Sequence, residues 1–462
     1  MSSLLKTHFK RIIITPENKI IFKKGGSKDE EKREVDNLDI TASVVSFDYY
    51  EDILSPSITV DLKISTTQAL YSLVPIRGYE RIDIVIGTDY GDITFGDSNE
   101  NPLYVVAIER LTQTEGQEIF TLKCCTLENL KNETVRCRNR FPRAQISSHV
   151  ETILKDILEV DEARIKKIEP SATEYGFIGN NKKAFYTCTW LCPKAVPVTG
   201  NATGEAGSQA KGTAGFFFYE DYDGFNFRSV DKMIDATQVE YPEDITSQDL
   251  SKEYGVETYT YSGMISRDGN ENEKQIINHY TDKTTNLQKN LRVGLYSNLT
   301  YFYDPLNWKA DAIQFNLAKE IEEANIKTAG DSVPIPQGDI TKFASRVLVR
   351  LGDSGMWDHE LNEKGSGRTI SDMAKSFSRY TLLFQQSLNI TIPCNINLRV
   401  GTPIRLIFPK VGPEESGGTG TKESDQELSG IYLIRSLRHH FEITEGRNVS
   451  ALNLVRDSYG IQ

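Results

Sequence analysis

Two stretches of the chain, PLYVVAIERLTQTEGQEIFTLKCC at 102–125 and GIYLIRSLRHHFEITEGRNVSALNLV at 430–455, carry one pattern. Each has an aromatic-led apolar strand, an Arg, a Glu-Gly turn and a second strand. Superposing Glu115-Gly116 on Glu445-Gly446 sets Leu122 against Leu452 and Cys124 against Leu454. Tyr104 then meets Tyr432 if the second hairpin is two residues longer. A matching lead-in precedes each copy, IRGYERIDIVI before the first and LRVGTPIRLIF before the second. Any two β-hairpins share turns and alternation, but this ordered set of elements occurring twice points to a duplicated β unit. Duplication has a consequence for assembly. Three copies of the chain would present six similar units around one axis, a pseudo-sixfold ring from a threefold oligomer.

The rest of the chain is organised around these copies. Ile58, Val60, Leu62 and Ile64 alternate with Thr59, Asp61, Lys63 and Ser65, the two-residue period of a half-buried strand. Ile82, Ile84 and Ile86 repeat it, so residues 1–126 read as antiparallel β. From Pro142 the texture changes: Ile146, Val150, Ile153, Leu154, Ile157 and Leu158 form the stripe of an amphipathic helix. Phe216–Tyr219 and Phe225–Phe227 flank Asp223-Gly224 as a hairpin, and the small residues of 194–215 read as a loop. Residues 127–236 therefore form a second, mixed α+β unit. A helix is expected with Ile313, Leu317, Ile321 and Ala324 on one face, and a short one with Ile370, Met373 and Phe377 on a face. Strands resume at Leu388, Ile390 and Ile392 and run to the end. The expected division is 1–126, a first β domain; 127–236; 237–264 with 371–462, a second β domain; and 265–370, a helix-containing insertion.

Length and composition fit such a β-rich, multi-domain protein: 462 residues with 20 Phe and 21 Tyr against 5 Met. The formal charge of −12 argues against a surface that neutralises nucleic-acid phosphates, and sequence-specific nucleic-acid binding is not expected. Six irregularly spaced cysteines do not suggest a disulfide framework. No run of 18 apolar residues occurs, so no membrane segment is expected, and the start MSSLLKTHFKRIIITPENK lacks a signal-peptide core, which implies synthesis in a cytoplasm.

LENLKNETVRCRNRFPRAQISSHVETIL, FFFYEDYDGFNF, SRYTLLFQQSLNITIPCNINLRVGTPIRLIF and the closing IYLIRSLRHHFEITEGRNVSALNLV together resemble the central baseplate hub of T-even-type contractile phages. More distantly they resemble the hub portion of type VI secretion spike proteins. The pieces lie in order over most of the chain, and the chain departs from the family at 194–215 and 411–429, where its connections are longer. The resemblance implies a β-rich α+β fold with two tube-type antiparallel β-barrel domains, an intervening helix-containing domain and insertions. It implies a homotrimeric ring in the virion tail baseplate, made in the host cytoplasm, that contacts tail tube, spike, baseplate wedge and tape-measure proteins. It also implies a passage for DNA or tape measure. Because the chain ends with its last strand, the spike is expected to be a separate chain.

Chemistry-bearing candidates all have plainer readings. Asp221, Asp223 and Gly224 lack the spacing of a calcium loop and read as a turn. Cys188 and Cys192 lack a second ligand pair, and Cys124 and Cys125 point to opposite faces of a strand. His439 and His440 near Glu442, Gly417, Gly418 and Gly420 before Lys422, and the pair Asp353 and Glu360 complete no catalytic motif. No catalytic residue, cofactor or metal is expected. Asp83 and Glu109, polar positions on otherwise apolar strands, are the candidates for lining a bore. A tail-associated glycan-degrading enzyme and a trimeric receptor-binding tail tip are the competing readings.

Overall fold

A computed structural model describes residues 8–16, 20–23, 32–67, 70–74, 76–88, 91–96, 101–165, 167–198, 214–235, 256–261, 273–283, 285–304, 308–322, 326, 328–330, 332–351, 366–410, 424–425, 427–443 and 448–460. The N-terminal part supplies β1 (His8–Thr15), β2 (Ile20–Lys23), β3 (Lys32–Val35), β4 (Leu38–Asp39), β5 (Val44–Asp52), β6 (Thr59–Thr66), β7 (Arg81–Thr88), β8 (Gly91–Phe95), β9 (Leu103–Thr114) and β10 (Gln117–Thr126). Alternation does what the sequence implied. Val60, Leu62 and Ile64 of β6, Ile82, Ile84 and Ile86 of β7, and Phe120 and Leu122 of β10 are all buried in one core, while the residues between them face out.

The middle of the chain adds β11 (Arg140–Gln145), β12 (Lys167–Ile168), β13 (Glu174–Ile178), β14 (Phe216–Asp221) and β15 (Gly224–Ser229). The expected amphipathic stripe buries Ile146, Val150, Ile153, Leu154 and Leu158, on the helix Ile146–Thr152, a π turn over Ile153–Ile157 and the residue that caps it. The Phe-rich hairpin forms as expected, with Phe218 opposite Phe227 and Asp221 opposite Gly224.

The C-terminal part contains β16 (Thr258–Thr260), β17 (Asn278–Lys283), β18 (Ser297–Asp304), β19 (Lys309–Asn316), β20 (Arg346–Leu351), β21 (Gln386–Pro393), β22 (Pro403–Ile407), β23 (Gly430–Glu442) and β24 (Asn448–Arg456). Three expectations need correction. Ile313 belongs to β19 and only Leu317–Glu322 is helical, because 309–316 pairs with β18 along its whole length; Ala324 lies outside the described residues. The helix expected around Ile370–Phe377 runs further, over Ser366–Leu383. β17, inside the expected 265–370 insertion, joins the large sheet beside β21. Its sequence NHYTDK hid this, since an edge strand with one solvated face has few apolar residues to alternate.

The duplication is visible in strand order. The large sheet runs β17-β21-β24-β23-β5-β6-β10-β9-β7-β1-β4, with β22 on β23. One half is therefore β5-β6-β10-β9-β7 and the other β17-β21-β24-β23-β22. Pairing registers agree in detail: Leu122 faces Leu62 and Ile108, while Leu452 faces Ile390 and Leu437. Both long strands carry a bulge at the same place, Val106 in β9 and Arg435 in β23. The registers shift one sequence match: Tyr104 pairs with Cys125 and Leu433 with Val455, so Tyr104 corresponds to Leu433 rather than Tyr432.

Candidate functional site

The two halves meet through main-chain hydrogen bonding. The distal part of β23 pairs antiparallel with β5, from Ser436 opposite Asp52 to Glu442 opposite Ser46, so a single sheet crosses the duplication. Its solvent face carries charged partners. Arg438 Nε donates to Asp48 Oδ1 at 2.9 Å, and His440 Nδ1 lies 2.6 Å from the same oxygen. A cavity of about 440 Å³ opens on this face over the joint, lined by Tyr50, Asp52, Asn389, Arg438 and Asn453 among others.

Behind the joint, the turn of the β14–β15 hairpin wedges between the halves and is held by two buried carboxylates. Glu51 of β5 accepts from Tyr49 Oη at 2.5 Å, from Tyr222 N at 2.9 Å and from Val400 N at 3.0 Å. One side chain thus ties the first half, the hairpin and the second half together. Glu220 of β14 accepts from Ile58 N at 3.1 Å and Thr126 Oγ1 at 3.0 Å, and it pairs with Arg164, which also reaches Glu128 at 2.6 Å. Burial pushes both Glu51 and Glu220 up to about 7. Arg399 stacks on Tyr222 at 4.8 Å and lies 3.4 Å from Asp223, which is held below its usual range against the pull of burial by Arg399 and Lys167. Asp221 Oδ1 accepts from Asp223 N and Gly224 N, so the faint calcium pattern is an Asx turn.

Other candidates resolve into packing. His439 is buried, stacks on Tyr49 and holds Ser450 Oγ at 2.7 Å; burial pushes its ring down to about 3, so it stays neutral. All six cysteines are free and buried. Among the described residues no group of His, Cys, Asp and Glu is arranged to hold a metal ion, and no helix is long and apolar enough to cross a membrane. Asp353, Glu360, Gly417, Gly418, Gly420 and Lys422 lie outside the described residues, as do most of the two long connections.

The two bore candidates stand apart. Asp83 of β7 accepts from Arg81 Nε at 2.8 Å beside Gly96. Glu109 sits on the distal part of β9, 3.4 Å from Lys123, on the same side of β10 as Thr121. Since β7 pairs with β9 only at Leu103 and Tyr104, the two acids are not brought together. What sequence reasoning missed is the Glu51–Tyr222–Val400 node. A glutamate between Tyr50 and Asp52 looks like any polar strand position, and its partners from far along the chain are main-chain amides that no side-chain pattern reveals.

No family model matches the sequence and no curated protein matches it. Solved structures do. A prophage MuSo2 43 kDa tail protein from Shewanella oneidensis superposes with TM-score 0.50 at 9% identity, covering 97% of this chain and 100% of that one. A tail protein from Neisseria meningitidis MC58 gives 0.49 at 10% identity, over 96% of this chain and 97% of that one. An E. coli protein described as a component of the type VI secretion system, similar to T4 tail proteins gp27 and gp5, gives 0.38 at 10% identity, over 90% and 75%. At such low identity the likeness speaks to fold, and it extends along nearly the whole chain. The chain has the fold of a phage tail protein.

Proposed function

We propose that this chain is the central hub of a phage-tail baseplate, a homotrimer whose six similar β units form a ring between a sixfold tail tube and a threefold spike. The observation that carries this reading is the duplicated half-sheet, joined edge to edge within one chain. A unit that already binds its own duplicate through strand edges can repeat that contact between chains and close a ring. The shared fold with a prophage tail protein supports the tail setting. In this reading 1–126 and 371–462, with β16 and β17, form two tube-type barrels, and 127–236 is a peripheral domain whose hairpin locks them. Spike, tube, wedge and tape-measure proteins are the partners, the virion is the location, and the role is assembly rather than catalysis. Closing the sheets would also remove free strand edges that invite aggregation.

The bore passes DNA or tape-measure protein, with Glu109 and Asp83 as candidate lining residues. Neutralising both and following DNA delivery tests the lining: normal ejection kinetics would remove these two residues from the bore. The ring itself is tested by light scattering and single-particle class averages of the purified protein. A three-chain particle with six lobes and an open centre is expected, whereas a compact monomer with a closed cleft would sink the hub reading and bring the glycan-degrading alternative forward.

A further inference from the structure

Among the described residues, two strand edges repeat the geometry of the joint between β23 and β5 without a partner strand. In the second half, the proximal part of β23 pairs with β22, a bulge follows at Arg435, and the distal part turns to β5. In the first half, the proximal part of β9 pairs with β7 and a bulge follows at Val106. The distal part is hydrogen-bonded to β10 alone among the described residues, with Glu109–Gln117 all exposed. β17 holds the place of β5: it pairs with β21 as β5 pairs with β6, and its other edge carries no strand among the described residues. Tyr280 on β17 is 65% exposed. Each chain thus offers one edge of each kind, both unpaired among the described residues.

We propose that the distal part of β9 pairs antiparallel with β17 of a second copy of this chain, placing Thr112 opposite the neighbour's Tyr280. This joint rests on the ring reading above and specifies how its chains connect. The register follows from the internal joint. Thr112 faces Ile119 as His440 faces Val449, so Thr112 corresponds to His440; Tyr280 faces Asn389 as Asp48 faces Asp61, so Tyr280 corresponds to Asp48. His440 pairs with Asp48 inside the chain. The same transfer at the other end turns Arg438 opposite Tyr50 into Glu109 opposite Lys283.

Between these two anchors the strands could have fallen out of step, because β9 has one residue more than β23 and bulges again between Glu109 and Thr112. β17 also has one residue more than β5, at its own irregularity between Thr281 and Lys283. The two extra residues fall on the same rung and compensate. Glu109, Arg110, Leu111 and Thr112 meet Lys283, Asp282, Thr281 and Tyr280 in unbroken order. The register also sets Arg110 against Asp282 and Glu109 against Lys283, opposite charges on adjacent rungs. Independent strands would have no reason to carry matching insertions and complementary charge.

The test uses the full chain. Thr112→Cys with Tyr280→Cys in one polypeptide should, on mild oxidation, give dimers and closed trimers on a non-reducing gel. Thr112→Cys with Thr281→Cys, one rung away and on the opposite face, should stay unlinked. The native cysteines are buried and do not compete. Arg110→Glu and Asp282→Arg should each weaken association by roughly fivefold, and the double variant should recover it. A trimer that forms without the Thr112–Tyr280 crosslink, or a double variant no better than the singles, overturns this joint while leaving the ring standing. A protein that stays monomeric at all concentrations overturns both.

Discussion

Three buried groups bend the pH dependence of this protein in opposite directions. Unfolded, His439 takes up a proton near ~6.5, but folded only at about 3, so between these values the unfolded chain holds more protons. Its contribution to stability therefore falls as pH drops below ~6.5, by about 1.4 kcal/mol per pH unit. His439→Phe should flatten the acid limb of a plot of urea midpoint against pH. Glu51 and Glu220 work the other way. Folded, they keep a proton up to about 7, whereas unfolded they release it near ~4.3, so their contribution is complete below ~4.3 and is lost as pH rises through 7. Glu51→Gln should flatten the alkaline limb; an unchanged limb would show that the carboxylate is already ionised through its three donors. Gly224 is constrained differently. Its φ is +136°, and a Cβ there would overlap the Arg164 carbonyl, so Gly224→Ala should lower stability by about 1–3 kcal/mol, read as a shift in thermal midpoint.

At the scale of elements, the helix Ser366–Leu383 is fastened near its C-terminal end by a buried cation. Arg379 is buried, 2.7 Å from Asp457 at the end of the chain and 3.3 Å from Asp231 in the short helix after the Phe-rich hairpin. Arg379→Met would leave two carboxylates buried without this cation and should cost about 3–5 kcal/mol in equilibrium unfolding. Near-native stability would mean that the acids find other donors. The sheet β19-β18-β20 packs on this helix through Asn298, which donates to Ser378 Oγ, and through the side of Phe377 facing Arg346 and Arg350. Its opposite face leaves Val347 and Val349 58% and 75% exposed. Apolar residues thus lie on both faces of this small sheet, so β20, RVLVRL, lacks the alternation that marks a half-buried strand.

For the whole molecule, the hairpin and its two buried carboxylates tie the two halves together, and closure of the proposed ring would depend on how they hold those halves. Glu51→Ala combined with Glu220→Ala should therefore broaden the distribution of particle diameters in class averages before it unfolds either half. Much of this design was written in the chain. The period of two fixed which residues enter the cores, and the shared Glu-Gly turns and flanking strands revealed the duplication, because such patterns are local and survive divergence. The Phe-rich hairpin and the buried stripe from Ile146 to Leu158 were legible for the same reason. Tertiary structure decided the rest. Whether β17 was a strand, that β23 would cross from β22 to β5, and that Glu51 would gather the main-chain amides of Tyr222 and Val400 all depend on partners far away in sequence. Main-chain hydrogen bonding between distant edges leaves no mark on side-chain order, and only the folded chain brings those edges together.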